Sequence, residues 1–419
     1  MSFSSLNLSD FLLNALTDLG YEQPTPVQLK AIPATLEGND VLAAAETGSG
    51  KTAGFVLPIL ERMKDSIPPR SNHANVLVLV PTRELAVQVE EAVQQYAKYF
   101  PRKLKSLAIY GGVSINTQMQ AMRSGCDIVV ATPGRLIDLF KHNAIDLRAV
   151  HTLVLDEADR MLDLGFADEL DDILDELPER RQNLLFSATF PNSVRTLTQE
   201  ILSDPVEISI KQEATIPEQL AQRAIEVDRT NRTMLLKHLL KTENWSRVLI
   251  FVASKRTANN VILKLSRADI NAQALHGDLT QSERSGALAD FKSGKCKILV
   301  ATDLAARGID IPNLPCVLNY DLPRSPADYV HRIGRTGRAG EVGLALSFID
   351  HEGDSHFKLI EKRIKQTLPR EQITGFERDS IVPLEVREQK GQAPVKGRRM
   401  SKKDKLRAAA AAKKIWGDK

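Results

Sequence analysis

Short apolar, β-branched runs recur through the first half of the chain: NVLVLVPTREL (75–85), LAIYGG (107–112), DIVVATPGR (127–135), TLVLDEAD (152–159) and NLLFSAT (183–189). Each ends in a polar or glycine-bearing cluster, and segments of helical period such as ELAVQVEEAVQQYAKYF lie between them. The alternation predicts an α/β fold, with a parallel sheet covered by helices on both faces. In such sheets ligands bind in the crevice beyond the carboxyl ends of the strands, where the polar clusters fall. The pattern then restarts at RVLIFVAS (247–254), AQALHGD (272–278), KILVATDLAARGID (297–310), CVLNYDLP (316–323) and LALSFID (344–350), which predicts a second sheet. VVATPGRLID (129–138) echoes LVATDLAARGID (299–310), each running apolar strand, Ala-Thr, polar turn, Ile-Asp. SIKQEATIPEQ (209–219) lacks an apolar period and contains a proline, so the linker is expected there. The expected units are 1–208, linker 209–219, 220–370, and a flexible tail over 371–419, where LRAAAAAKKIW has high helix propensity but little apolar face.

The length of 419 residues suits two domains of about 200 residues, each large enough for its own core. No apolar run reaches the roughly 20 residues of a bilayer span. The start, MSFSSLNLSDF, lacks the basic and apolar segments of a secretory signal, so the expectation is a cytoplasmic chain with no membrane partner. Cys126, Cys296 and Cys316 are far apart and form no CxxC pair, which argues against a disulfide framework or a zinc site. Charge alters the picture at one end. Residues 389–419 hold eleven Lys/Arg against two Asp, so a net +9 tail follows a body of net −6 within a total of +3. Such a tail suits a polyanion, with a solubilising role as the plain alternative.

AETGSGKT (45–52) fits a phosphate loop except that Ala45 replaces its first glycine, and it stands between a strand-like DVLAAA and a helix-like TAGFVLPILERM. In that context the backbone of Thr47, Gly48, Ser49 and Gly50 converges on phosphate oxygens at a helix N-terminus. Lys51 meets the terminal phosphates and the Thr52 hydroxyl meets Mg²⁺. In VLDEAD, Asp156 and Glu157 close an apolar run: Asp156 suits the metal, and Glu157 suits orienting and deprotonating the attacking water. Alone, these acids would read as a cluster at a helix N-terminus; beside the loop they read as catalytic. YVHRIGRTGRAG (329–340) holds His331, Arg332, Arg335 and Arg338 with no acid among them, so its cations repel until an anion arrives. Arg335 and Arg338, three apart, are expected to share a helical turn. A γ-phosphate held by the other unit is such an anion. An arginine delivered there accelerates phosphoryl transfer by about 10³- to 10⁵-fold, or roughly 4 to 7 kcal/mol.

These motifs, with GYEQPTPVQ (20–28), PTRELA (81–86), GG (111–112), TPGR (132–135), SAT (187–189) and ATDLAARGID, follow the order found in DEAD-box RNA helicases and cover about residues 1–370. The chain resembles that family, and its compact core with a short basic tail is most similar to bacterial RhlE-like members. The resemblance implies two tandem RecA-like domains and an ATP-dependent, RNA-stimulated ATPase that uses ATP and Mg²⁺. It implies a monomer acting on structured RNA or ribonucleoprotein, ribosomal RNA being one candidate. It further implies that Gln28 reads the adenine edge with Tyr21 and Phe3 packed near the base, within a Q motif at 3–28. Asp310 would meet the ribose, Ser187 and Thr189 would link the nucleotide site to domain closure, and His331 would bridge toward the acidic motif or SAT.

The strand-end groups Pro81, Thr82, Arg83, Gly112, Thr132 and Arg135 in the first unit, and Gly277 and Thr302 in the second, offer small hydroxyls, glycine backbone and single arginines. Such groups suit sugar and phosphate contacts that position a strand without reading it. Aromatic residues make up 5% of the chain, which argues against a long stacking platform. Preference for RNA over DNA follows only from the resemblance. A clamp that bends one strand would expel its partner locally. At about 1.4 kcal/mol per stacked step, one closure opens a few base pairs, so short duplexes are the expected substrates. Two other readings stay open: an ATP-locked RNA clamp or annealing scaffold, and a DNA-directed translocating motor.

Overall fold

The computed structural model describes residues 2–45, 49–209, 220–306, 314–337 and 342–379. The first sheet comprises β1 (Val41–Ala44), β2 (Ala74–Leu79), β3 (Ser106–Ile109), β4 (Cys126–Ala131), β5 (Thr152–Asp156), β6 (Gln182–Ser187) and β7 (Val206–Ser209). The second comprises β8 (Leu220–Glu226), β9 (Val248–Val252), β10 (Gln273–Leu275), β11 (Ile298–Thr302), β12 (Cys316–Asn319), β13 (Gly343–Ile349) and β14 (Arg370–Glu371). Their orders are β3-β4-β2-β5-β6-β1-β7 and β10-β11-β9-β12-β13-β8-β14, so the second repeats the first strand for strand. The sequence echo sits at matching places, since its two copies leave β4 and β11, the fourth strand of each sheet.

Alternation along each strand builds a core on either face of the first sheet. Val76, Val78, Val154, Leu184 and Phe186 face the helices Pro26–Leu36, Lys51–Met63 and Arg83–Tyr96. Their neighbours Leu77, Leu79, Leu153, Leu155 and Leu185 face the helices Pro133–Lys141, Ala167–Asp175 and Asn192–Ile201. Each such side chain stabilises the fold by about 1.5–3 kcal/mol, and a one-residue slip would reverse every face. The register also levels the functional edge. Ala44 lies beside Ser187 and Asp156 beside Phe186, so β1, β5 and β6 end together.

The chain continues the second unit past the expected boundary at 370. β14 pairs with Ala224 and Ile225 of β8, while Ile373 and Phe376 pack against that unit's core. Arg378 bonds Glu226 at 2.8 Å and Asp354 at 3.1 Å. The two apolar anchors and this arginine hold the segment down to Asp379, so any free tail starts after it. The expected linker falls outside the described residues apart from Ser209, which ends β7.

Candidate active site

The helix Lys51–Met63 starts at Gly50, whose φ of +87° belongs to the left-handed region. A Cβ there would stand 2.5 Å from Gln28 Nε2. Glycine is therefore required twice, by backbone and by space. Gln28 is fully buried; its Oε1 accepts from the Thr25 N–H at 2.9 Å and its Nε2 donates to the Gly50 carbonyl at 3.0 Å. The glutamine expected at the base is thus also the joint that fastens the phosphate loop to the helix Pro26–Leu36. Beside it, Phe3 meets Tyr21 edge to face with ring centroids 6.4 Å apart, and the hydroxyls of Tyr21 and Tyr96 lie 3.3 Å apart.

Lys51 is 6% exposed, and among the described residues its Nζ has no hydrogen-bond partner, only the Asp156 carboxylate at 3.9 Å. A desolvated ammonium with three donors and no bond is a built receptor for an oxyanion. Thr52 follows it, half-buried, at the second position of the helix. Ser49 borders the loop, whereas Thr47 and Gly48 lie outside the described residues.

Asp156 ends β5 and Glu157 turns into the left-handed region at φ 55°, ψ 50° before the helix Ala158–Asp163. The cost of that conformation in a non-glycine residue is about 1–2 kcal/mol. The turn lets the Glu157 N–H donate to Asp156 Oδ1 at 3.0 Å and holds both carboxylates at the strand end. Burial pushes Asp156 up to about 6, with the Glu157 charge adding to the rise and Lys51 opposing it. Glu157 pairs with Arg160 at 3.2 Å.

Asp159 couples this motif to SAT. Its Oδ2 accepts from the Thr189 N–H at 3.0 Å and the Thr189 hydroxyl at 2.6 Å, and its own N–H donates to Ser187 Oγ at 3.3 Å. The Ser187 hydroxyl in turn donates to the Thr189 carbonyl at 2.7 Å. The expected role of Ser187 and Thr189 therefore acquires a partner, Asp159, that was legible only as a letter in DEAD.

From the second unit, the helix Pro326–Ile333 brings His331 to this motif. Burial first, then the neighbouring Arg160 and Arg335, hold its imidazole below the ordinary range, while Asp159 and Asp328 pull the other way. Arg332 differs from expectation. It is 2% exposed and its charge is already answered: it forks onto Asp303 at 2.6 and 2.7 Å, bonds Asn319 at 2.9 Å, and lies over the Phe251 ring at 4.9 Å. It is a strut, since an acid 29 residues earlier removes the repulsion inferred from its own segment. The helical turn expected to carry Arg335 and Arg338 together is also absent at its start. Gly334 caps the helix, Thr336 bridges Leu314, and Gly337 has φ +67°, so Arg335 stands on the turn after the helix. Arg338 and Asp310 lie outside the described residues.

A separate cleft of about 1030 Å³ runs between the units and gathers Pro81, Thr82, Arg83, Thr132, Arg135 and Gly277. Thr82 caps the helix Arg83–Tyr96 by accepting from the Leu85 N–H at 3.3 Å. Gly112, φ +86°, makes room for the Arg83 guanidinium, and Gly111 lies next to it on the cleft wall. Arg135 is fixed by the Val113 carbonyl at 3.1 Å and by Gln118 at 3.0 Å. Thr302 ends β11, two residues before Leu304, which lines the cleft. Sequence reasoning missed the pair that spans it: Glu84 of the first unit and Arg284 of the second meet at 2.7 Å, both nearly buried. No local signal links residues 200 positions apart.

A buried lysine without a hydrogen bond beside two strand-end carboxylates on one parallel sheet, with a histidine brought near the acidic motif by a second sheet of the same plan, is the arrangement of a two-lobed nucleoside triphosphatase of the helicase type. Residues 25–197 match the DEAD/DEAH box helicase family and residues 231–340 the helicase conserved C-terminal domain. The chain is 41% identical over 376 residues to the ATP-dependent RNA helicase DeaD of Klebsiella pneumoniae, covering 90% of this chain and 58% of that protein. It is 40% identical over 370 residues to the DEAD-box ATP-dependent RNA helicase CshA of Bacillus cereus, covering 88% and 69%. Among solved structures it resembles S. cerevisiae Dbp5 bound to RNA and ADP BeF3, with a TM-score of 0.78 and 32% identity over 89% of this chain and 95% of that one. The chain belongs to the DEAD-box ATP-dependent RNA helicase family.

Proposed function

We propose that this chain separates short RNA duplexes, or remodels ribonucleoprotein, in the cytoplasm by closing its two units on one RNA strand when ATP is bound, and reopens after hydrolysis. Lys51 and the loop before it grip the terminal phosphates. Glu157, fixed in its left-handed turn, orients the attacking water and takes its proton. Arg335, with Arg338, meets the charge that develops on the transferred phosphoryl group. Arg83, Arg135 and Thr132 hold the strand by its backbone.

The donor set fits Mg²⁺. Among the described residues no group of three or more His, Cys, Asp or Glu could hold a metal by itself. Mg²⁺ in nucleotide sites takes one or two protein oxygens and completes its shell with phosphate and water. The Thr52 hydroxyl and the Asp156 carboxylate would be those oxygens. When bound, the ion would supply neutralisation of the phosphate charge.

The observation that carries the reading is the meeting of the lobes, joined by Glu84 and Arg284 at 2.7 Å, with the charges of Asp159 and Arg160 of the first unit acting on His331 of the second. Chemistry is then available only when the lobes meet. Arg335→Gln with Arg338→Gln should leave ATP binding intact and lower RNA-stimulated turnover by about 10³-fold. Turnover at the original rate in the folded variant would remove the proposal.

A further inference from the structure

The cleft that holds Arg83 and Arg135 has a second wall of opposite sign. The helix Ala167–Asp175, ADELDDILD, carries five acids and no base. Asp168, Glu169 and Asp172 line the cleft; Asp171 and Asp175, on the same helix, do not. None of the three has an ion-pair partner among the described residues. Arg284 of the second unit lines the same cleft, 8% exposed, and its Nε has no hydrogen-bond partner among the described residues. Its charge is met by Glu84 at 2.7 Å, and the free Nε donor leaves one hydrogen bond to offer to an oxyanion on the cationic side. Between the two walls lies Leu304, 48% exposed.

The arrangement is asymmetric in a way that matters to nucleic acid. A single strand that sets its phosphates on the arginine side turns bases, which carry no charge, toward Leu304 and the acids. A duplex brings a second row of phosphates to the same place, and those meet three largely exposed carboxylates that have no ion-pair partner among the described residues, a repulsion that salt screens. Resting on the reading of this cleft as the RNA path, we propose that the acidic face formed by Asp168, Glu169 and Asp172 sets the preference for one strand by repelling its complement. Discrimination here comes from an unfavourable contact with the wrong form.

The test uses the full chain with an ATP analogue that is not hydrolysed, and compares single-stranded RNA with a blunt duplex of the same sequence by fluorescence anisotropy. Neutralising the wall with D168N/E169Q/D172N should strengthen duplex binding by about three- to tenfold at about 0.1 M salt, change single-strand binding by less than about twofold, and lose the gain at about 0.5 M salt. D171N/D175N removes the two charges of the same helix that do not line the cleft and should leave the ratio of the two affinities nearly unchanged. Asp168 and Glu169 stand in the first turn, where acids favour the helix. D172N alone, beyond that turn, should therefore shift the ratio in the same direction. An unchanged ratio in the triple variant, or an equal shift in D171N/D175N, overturns the proposal. Arg83→Ala separates this failure from a deeper one, because unaltered single-strand binding there would mean the cleft is not the RNA path at all.

Discussion

Gly112 offers a way to move Arg83, proposed to hold the RNA strand, without touching it. Its φ is +86°, and a Cβ built there would overlap the Arg83 guanidinium, falling 2.6 Å from Cζ and 3.0 Å from Nη2. The obstructed group is the far end of a flexible side chain, so Arg83 should yield and the loop should hold. Nη1 stands closest of all, so for ordinary contact at 3.4 Å or beyond the guanidinium must retreat by roughly 1.5 Å. Gly112→Ala then has two separable effects. Left-handed backbone costs an alanine about 1–2 kcal/mol, which for a domain near 200 residues lowers the melting temperature by about 2–8 °C. Displacing Arg83 removes one charge-assisted phosphate contact, worth about 1.5–3 kcal/mol and therefore at least about tenfold in affinity. The salt dependence reports the same loss, since one phosphate fewer on a single strand flattens the slope of log K against log salt by about 0.7. Anisotropy titrations of single-stranded RNA at several salt concentrations give both numbers, with ATP binding measured alongside as the quantity that stays fixed. Arg83→Ala should reproduce the RNA effect without the melting shift, and the double variant should be no weaker than either single one. A wild-type slope in Gly112→Ala, or additive losses in the double variant, would mean that Gly112 does not act through Arg83.

Burial raises Asp156 to about 6 from an ordinary 3.8, so the folded chain keeps this proton to higher pH than the unfolded chain, and its contribution to stability is lost as pH rises from about 4 through 6. Without Mg²⁺ and nucleotide, Asp156→Asn should be more stable than the parent by about 3 kcal/mol at about pH 8 and equal to it below about pH 4 in urea titrations; a gap of the same size at both ends would show that charge is not the cause. Glu84→Gln strands Arg284 without its counter-charge, a loss of about 3–5 kcal/mol that weighs on the closed arrangement because the pair spans both units. The RNA concentration needed to stimulate ATPase should rise, and the swapped pair Glu84→Arg, Arg284→Glu should recover part of it; no change in either variant would count against closure through this pair. Deleting residues 389–419 should weaken RNA binding and reduce the salt slope by about 0.7 per lost phosphate contact with ATP binding retained, whereas an unaltered slope would leave the tail as a solubiliser.

What could be read beforehand was whatever is local. The strands that begin or end in a motif were legible because apolar runs and punctuating glycines sit next to one another in sequence. β8 was not, since LAQRAIE places Arg223 in mid-strand, and only the fold reveals that Glu243 and Glu371 receive that charge at 2.9 Å. β14 has two residues and thus no period to detect. The same division holds in the active site. Lys51, Asp156 and Glu157 could be named from spacing, but the left-handed turn at Glu157 and the second task of Gln28 are properties of packing. Arg332 is the sharpest case: its motif pointed to phosphate, while Asp303, Asn319 and the Phe251 ring had already claimed it.

The two sheets share one strand order, so each lobe presents the same sequence of edges to whatever lies along both. A polymer with a uniform backbone can satisfy such a doubled platform by repeating itself, one stretch per lobe, whatever letters it carries. The footprint is then fixed by architecture and not by the order of the letters.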